Sequence, residues 1–477
     1  MWKRASASIA ITGLALLGCA SGGEVKKAEV TYQDLVRYEG KYEYENGLTL
    51  EIAASPREKI LYALISDAKY PLRPAGEDTF LNVANERVLF TEQGGEVAGF
   101  MLPDTRSDRL FKRLSKDVRF PVEMWYPRMT QSPGGGSITL AVPQDRGDGL
   151  AVGPLQGSGL DVARIEEMVR QIAAGRYPDV HSVLILKKGA LVVEEYFYEY
   201  TADTVHPLRS ATKSFISALA GLAIEDGLIQ GVREPVLPFF ADEYPQIENL
   251  NDSKRKLTIE DLLTQRSGFD CDDWKPDSVG NESRIAQLDD WVKAFLDLPT
   301  LHEPGTVASY CSAGVITLGR IVEKKAKIPL EKYAERRLFE PLGIRSYHWR
   351  FDPDRSSSET FIQLSLRPRD MAKFGLLYQR GGQWGGRQVV PAEWVAASIA
   401  KHSTVGDTDY GYLWWRPYLN TPGGVHHGIM ATGNGGQKIF LWPELDMIVV
   451  FTGGNYNIDS PTNELLINFI LPETTVL

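Results

Sequence analysis

The sequence predicts an α+β fold, an antiparallel sheet flanked by helices and preceded by a small all-β domain. Three observations predict it. Residues 32–114 alternate in short apolar runs broken by turn residues. A stretch rich in glycine and proline, "QSPGGGSITLAVPQDRGDGLAVGPLQGSG", then changes the composition. Beyond it, helical periodicity and strand-like runs share one long segment, and apolar strands return near the C-terminus.

At 477 residues the chain is long enough for more than one domain, and 43% hydrophobic with 24% charged residues suits a globular protein. A net charge of −10 argues against a nucleic-acid partner, which requires a basic face. Residues 1–18 read as a leader: "MWKRASASIAITGLALLGCASGG" starts with Lys3 and Arg4, and its apolar run from Ile9 to Leu17 is too short to span a bilayer. "LLGC" is similar to the bacterial lipobox, which implies cleavage before Cys19 and a lipid on its thiol. An ordinary signal peptide with an incidental cysteine is the alternative. Residues 19–30 would be the tether, and Ala20, where aspartate would favour the inner membrane, implies by the same resemblance the outer one. The expected location is the bacterial envelope, lipid-anchored and facing the periplasm.

Residues 31–116 form the expected antiparallel β domain, an incomplete barrel. "GKYEYENGLTLEIAA" reads as two strands around an Asn46-Gly47 turn, and "KILYALI", "RVLFTEQGGEVAGFML" and "RLFKRL" continue the series. Residues 117–158 read as a linker or long surface crossing. In residues 159–477, "GLDVARIEEMVRQIAAG" has helical spacing and "HSVLILKKGALVVEEYFYEY" reads as two strands joined at Lys188-Gly189. "QKIFLWPE" and "DMIVVFTGG" are the closing strands.

Four Ser-x-x-Lys patterns occur: Ser66 to Lys69, Ser210 to Lys213, Ser253 to Lys256, and Ser398 to Lys401. Only Ser210 opens a run, "SATKSFISALAGLAIEDG", apolar enough to be buried nearly all round, ending at Gly227. One helical turn sets Ser210 beside Lys213, and burial disfavours the charged form of the lysine, which lets it accept the serine proton. The helix N-terminus favours an oxyanion there. Ser66 and Lys69 lie in an extended segment and point to opposite faces. Ser253 lies in a charged, solvated stretch, and Ser398 lies late in an amphipathic helix.

Two companion segments follow. "EPGTVASYCSAG" carries Tyr310 and Ser312 around Cys311. "ATGNGGQKIFLWPELDMIVVFTGG" enters a strand through glycines that let backbone N–H groups approach a bound acyl group, unless it is merely a tight hairpin turn. With Cys19 lipidated, Cys271 and Cys311 are an even pair in an exported chain, which invites a disulfide; two free buried thiols are the alternative. Neither has a histidine or second cysteine at metal-ligand spacing, so no metal is expected.

In order, "RSATKS", "LTIEDLLTQRSGF", "PGTVASYCSAG", "RPRDMAKFG", "YGYLWW" and "TGNGGQ…WPELD" resemble the serine β-lactamase and penicillin-binding-protein superfamily, over about residues 158 to 470. Within it they resemble the branch holding class C β-lactamases, D-alanyl-D-alanine peptidases, β-lactamase-fold esterases and 6-aminohexanoate-dimer hydrolases. The β domain resembles the small lipocalin-like domains sometimes attached to these hydrolases. The resemblance implies a β-lactamase/transpeptidase-like sheet and a cofactor-free serine hydrolase acting on a small ester, amide or peptide. Ser210 would be acylated, with Lys213 and Tyr310 as the proton-transferring pair. The oxyanion hole would be the backbone N–H groups of Ser210 and Asn434, within a motif that also holds Thr432, Gly433, Gly435 and Gly436. Ser312 takes the place of the second-motif Asn or Ser.

The third-motif lysine is replaced by Ala431, which tells against a β-lactamase or carboxypeptidase and leans toward the esterase and nylon-oligomer hydrolase branch. His426, His427 or Arg416 would be the substitutes for that charge, unless the histidines are structural, the commoner use of a lone histidine. In the same fold "FDCDDW" borders the cleft, which would bond Cys271 to Cys311 beside Tyr310. Asp270, Asp272 and Asp273 either line the substrate mouth or form a solvated acidic loop. Trp274, Trp414 and Trp415 form either an apolar substrate wall or core. The rival readings are a penicillin-recognising peptidase or β-lactamase, a non-catalytic envelope binding protein, and a protein whose β domain binds the ligand.

Overall fold

The computed structural model describes residues 30–44, 49–65, 68–104, 107–128, 139–350 and 363–471. The leader, Cys19, nearly all of the tether, the Asn46-Gly47 turn and Ser66 lie outside the described residues. Among the described residues, no helix is long and apolar enough to cross a membrane.

Alternation in the N-terminal domain builds a closed barrel of eight antiparallel strands. Closure is made by the first strand, Gly40–Glu43, which pairs with Thr49–Ala54 on one side and with Ser107–Ser115 on the other. The expected incomplete barrel is thereby corrected: a strand that pairs on both sides leaves no free edge. Inside it, Tyr38, Tyr42, Phe80, Phe90, Phe100 and Phe111 pack with ring centroids 4.7 to 6.0 Å apart. A barrel of eight strands is just wide enough for side chains to fill, and these rings fill it. A short helix, Tyr32–Val36, enters the barrel behind a Thr31–Asp34 capping box.

The second domain is built on a nine-stranded sheet. It runs from the edge strand Ser403–Val405 through Thr408–Tyr410, Trp415–Arg416, Ile429–Gly433, Gln437–Trp442 and Met447–Gly453 to Val180–Lys187, Ala190–Tyr196 and Ala151–Val152. All pairs are antiparallel except the last. The alternation of the central strands divides the core in two. Ile439 and Leu441 face the helices Thr212–Glu225 and Pro368–Gln379, while Phe440 and Trp442 face the helix Val162–Ala173 and the C-terminal turns. On the first side Phe215 stacks on Phe374, centroids 3.7 Å apart.

The connection between the domains is less free than its composition suggests. Trp125 packs against Tyr62 of the barrel, Leu140, Leu150 and Leu155 are buried in the sheet domain, and Ala151–Val152 adds a parallel edge strand along Ala190–Leu191. It is a surface crossing pinned at several points. The stretch around Ser253 is also less solvated than expected. Lys254 is fully buried, its Nζ donating to the carbonyls of Glu248, Leu296 and Leu298 at 2.7 to 2.9 Å.

Because Phe215 is fully buried and stacked on Phe374, Phe215→Ala should cost about 3–5 kcal/mol. A urea melt showing less than about 1 kcal/mol would contradict this account of the core.

Candidate active site

Ser210 lies in a one-turn 3-10 helix, Arg209–Ala211, that runs directly into the helix Thr212–Glu225. Every residue of that helix from Thr212 to Ala223 is buried, as its run of Ala, Leu, Ile and Phe requires. Lys213 is only 4% exposed. The one-turn offset brings its Nζ to the Ser210 hydroxyl, donating at 2.9 Å. Burial pushes the Lys213 ammonium below the usual lysine range, against the opposing charges of Glu282 and Asp273.

Tyr310 enters from the turn before the helix Ser312–Ala326. Its hydroxyl is near enough to Ser210 for that group to lower its pKa, and the Lys213 Nζ stands 4.8 Å from its ring centroid. Burial pushes the phenol far up, the Ser210 contact opposing this and the charges of Asp273 and Glu282 reinforcing it. Ser210 thus sits between a lysine whose charge is disfavoured and a phenol held neutral.

The Tyr310 turn is fastened to the loop beginning at Phe269. Cys271 and Cys311 form a disulfide closing 40 residues. The Asp273 N–H donates to the Tyr310 carbonyl at 2.8 Å, and the Ser309 hydroxyl to that of Cys271 at 2.8 Å. Asn281 Nδ2 donates to the carbonyls of Asp272, Asp273 and Lys275 at 3.1 to 3.3 Å. Of the three aspartates, Asp273 alone enters the site: its carboxylate accepts the N–H of Ser312 at 2.8 Å and of Glu282 at 3.1 Å. The Ser312 hydroxyl turns to Glu282, donating at 3.5 Å. Asp270 accepts from Ser278 Oγ, and Asp272 from the N–H of Trp274.

The third segment closes the site from the sheet. A Cβ on Gly433 would lie 2.0 Å from the Leu208 carbonyl oxygen, so only glycine lets this strand lie against the Ser210 turn. At Gly435, φ is +93° and a Cβ would meet the Tyr456 ring at 2.7 Å. Asn434 is held by its side chain, which donates to Asn457 Oδ1 at 2.7 Å and accepts from the Asn457 N–H at 2.9 Å. Gly436 follows, also with positive φ, beside Ser460. Ala431 is buried and apolar, but Lys438 stands in register opposite Thr432 and its Nζ donates to Thr432 Oγ1 at 2.5 Å. Burial pushes Lys438 down to about 8.

His426, His427 and Arg416 do not supply that cation: His426 meets Thr421 and Trp442, His427 lies beside Tyr418, and Arg416 donates to the Ile399 carbonyl. Trp414 is core, against Phe374 and Tyr378. Trp274 and Trp415 flank Tyr310, with centroids 5.2 and 5.6 Å away, and Trp274 is 55% exposed. Of the other serine–lysine pairs, Ser253 and Lys256 both bind Glu303, while Ser398 bonds Val395 and Lys401 pairs with Asp409. Among the described residues, no cluster of metal-binding side chains occurs.

A beta-lactamase family model matches residues 165–462, more than half of the chain. The chain belongs to the beta-lactamase family. Family members are serine hydrolases, among them esterases, amidases and peptidases. Among curated proteins it is similar to a Salmonella heidelberg (strain SL476) protein named "Putative D-alanyl-D-alanine carboxypeptidase", 26% identical over 202 residues. That match spans 38% of this chain and 45% of the relative, so the chain spans under half the length of the curated relatives it matches. Two solved structures share the fold at 19% identity and a TM-score of 0.51. One is a "Putative 6-aminohexanoate-dimer hydrolase from Bacillus anthracis", covering 61% of this chain and 78% of its own; the other is a "putative beta-lactamase from Bacteroides dorei DSM 17855", covering 65% and 99%.

Glu282 and Lys438 are the site residues that sequence reasoning misses. Lys438 was findable, because counting back across the Asn434–Gly436 turn puts it opposite Thr432. Glu282 was not, because a folded loop brings it to Ser312.

Replacing Cys271 and Cys311 by serine should cost about 2–4 kcal/mol, as expected for a closed loop of 40 residues. It should also lower turnover before the protein melts, because the same bond holds the Tyr310 turn. Unchanged stability in a denaturant titration would show that the hydrogen bonds alone fasten the loop.

Proposed function

We propose that the chain is a serine hydrolase that cleaves an ester or amide through an acyl-enzyme on Ser210, in the manner of the 6-aminohexanoate-dimer hydrolase and esterase branch. The observation that carries this reading is the 2.9 Å contact between Ser210 Oγ and a buried Lys213 Nζ. Burial lowers the lysine and raises the phenol, which favours Lys213 as the base and Tyr310 as the proton donor. The Ser210 oxygen attacks the carbonyl carbon and its proton passes to Lys213. Tyr310 donates to the leaving group. The backbone N–H groups of Ser210 and Asn434, the latter fixed by Asn457, are the donors for the oxyanion. Ser312, Thr432, Gly433, Gly435 and Gly436 shape the surrounding wall. The exposed Trp274 with Trp415 suits an apolar group on the substrate.

We place the enzyme at the bacterial envelope, held by a lipid on Cys19, on the strength of the "LLGC" segment. A second reading, a peptidase or β-lactamase recognising a substrate carboxylate, is favoured by one observation. Lys438 presents a cation at Thr432 although Ala431 cannot.

Intact-mass measurement after brief exposure to p-nitrophenyl butyrate should show one butyryl group mapping to Ser210. Ser210→Ala should remove both the adduct and turnover with the fold retained. Undiminished hydrolysis by that variant would overturn the mechanism. A stable penicilloyl adduct on Ser210, lost or at least tenfold slower to form in Lys438→Met, would establish the second reading instead.

A further inference from the structure

We propose that Asp273 and Glu282 form a carboxylate pair that stabilises the ammonium of Lys213 as it takes the Ser210 proton, making both positioning residues for the reaction. The proposal rests on the serine-hydrolase reading above and deepens it.

The pair is assembled by the fold. Both oxygens of Asp273 accept backbone N–H groups, from Ser312 and Glu282, while Glu282 accepts the Ser312 hydroxyl. Both carboxylates therefore meet at the first residue of the helix Ser312–Ala326, whose preceding turn carries Tyr310. The loop bearing them is fixed by the Cys271–Cys311 disulfide, the Asp273-to-Tyr310 backbone bond and the three carbonyl contacts of Asn281.

Helix capping does not account for two carboxylates. One acceptor satisfies the Ser312 N–H, and a second negative charge beside it is repulsive. Burial first, and then the charge of Glu282, push Asp273 up to about 6, while Lys213 offsets them. Glu282 and Asp273 reach Lys213 through space rather than by contact, their charges raising it against burial. The hydrogen bonds at Ser312 hold both beside the turn whose Tyr310 ring lies 4.8 Å from the lysine Nζ. Its other neighbours, Ser210 and Tyr310, are neutral, as is Tyr410, whose phenol burial holds far up behind Tyr310. The lysine is the cation that makes the pair tolerable, and the pair makes the ammonium tolerable in turn.

In acylation, Ser210 Oγ forms a bond to the carbonyl carbon and its proton moves to Lys213 Nζ, creating an ammonium in the field of the two carboxylates. The carbonyl carbon then loses its bond to the leaving oxygen or nitrogen, which departs with the Tyr310 proton. Tyr310 is reprotonated from Lys213. Water then attacks the acyl carbon and gives a proton to Lys213. The carbon loses its bond to Ser210 Oγ, which takes the Tyr310 proton, and Tyr310 is reprotonated from Lys213, leaving the acid product and free Ser210. One water is consumed in total.

Each carboxylate raises the proton affinity of Lys213, so neutralising one lowers the pH at which the lysine becomes a base. The acid limb of kcat/KM then moves to lower pH. Because Glu282 also raises Asp273 and Tyr310, every titrating neighbour shifts the same way.

Glu282→Gln is the informative variant, since an amide at Asp273 would set a donor against a backbone donor. In the full chain, with p-nitrophenyl butyrate as substrate, the acid limb should fall by about one pH unit. The plateau should drop about tenfold, the ammonium having lost a partner. An acid limb that stays in place in Glu282→Gln, whether or not the plateau falls, overturns the proposal. Butyryl adducts on Ser210 are measured in parallel. If both proteins acylate and the limb is unmoved, only the role of the pair fails. If the parent protein forms no adduct and does not turn over, the serine-hydrolase reading fails and takes the pair with it.

Discussion

A lysine held away from water beside a hydroxyl is the constraint on which the rest of this structure depends. In water Lys213 would be protonated and useless as a base; among Ala, Leu, Ile and Phe its charge is penalised and a neutral amine becomes accessible. In the mechanism proposed above the same amine also carries a proton for part of each cycle, which burial in hydrocarbon alone would oppose. Two carboxylates whose charge is felt at Lys213, Asp273 tied by two backbone N–H groups and Glu282 by the Ser312 hydroxyl, meet both demands. The apolar helix, the Tyr310 turn and the loop carrying Asp273 and Glu282 are three answers to one electrostatic problem.

What was legible in the sequence is what local spacing determines. One helical turn joins Ser210 to Lys213, and it joins Ser398 to Lys401 equally well. Solvent separates the two cases: Lys401 reaches out to an exposed Asp409, whereas Lys213 is enclosed. That difference could be read, because an apolar run and an amphipathic one differ in composition. The paired strands around Lys188-Gly189 could be read for a similar reason, since alternation and a glycine turn mark a hairpin.

What was not legible depends on contacts distant in the chain. Barrel closure needs Gly40–Glu43 to find Ser107–Ser115, and nothing in either segment announces the other. Two residues, Ala151 and Val152, are too short a strand to stand out from a linker, yet they pair with the sheet. Lys254 sits in a run of charges and is nonetheless buried, because three carbonyls replace its water. Glu282 reaches Ser312 only once Asn281 has folded its loop. In each case the deciding partner lies outside any window over which periodicity is meaningful.

The barrel shows how such distant contacts converge on the site. Its Lys69 donates to the Met124 carbonyl and stands 5.0 Å from the Tyr198 ring, and the next residue, Tyr70, packs on Tyr456 with centroids 6.0 Å apart. Tyr456 in turn lies against Gly435 and beneath the Arg209 guanidinium, 4.8 Å from its ring centroid, and Arg209 precedes Ser210. Asn455, one residue earlier, donates to the Gly435 carbonyl and to the carbonyl of Pro178. One corner of the sheet domain therefore faces the barrel on one side and the Ser210 and Asn434 turns on the other. An aromatic-filled barrel is a stiff body, and a stiff body seated on Tyr456 restrains the ring that in turn restrains Gly435. The outer surface of the barrel is thereby linked, through Tyr70 and Tyr456, to the turns that carry Ser210 and Asn434.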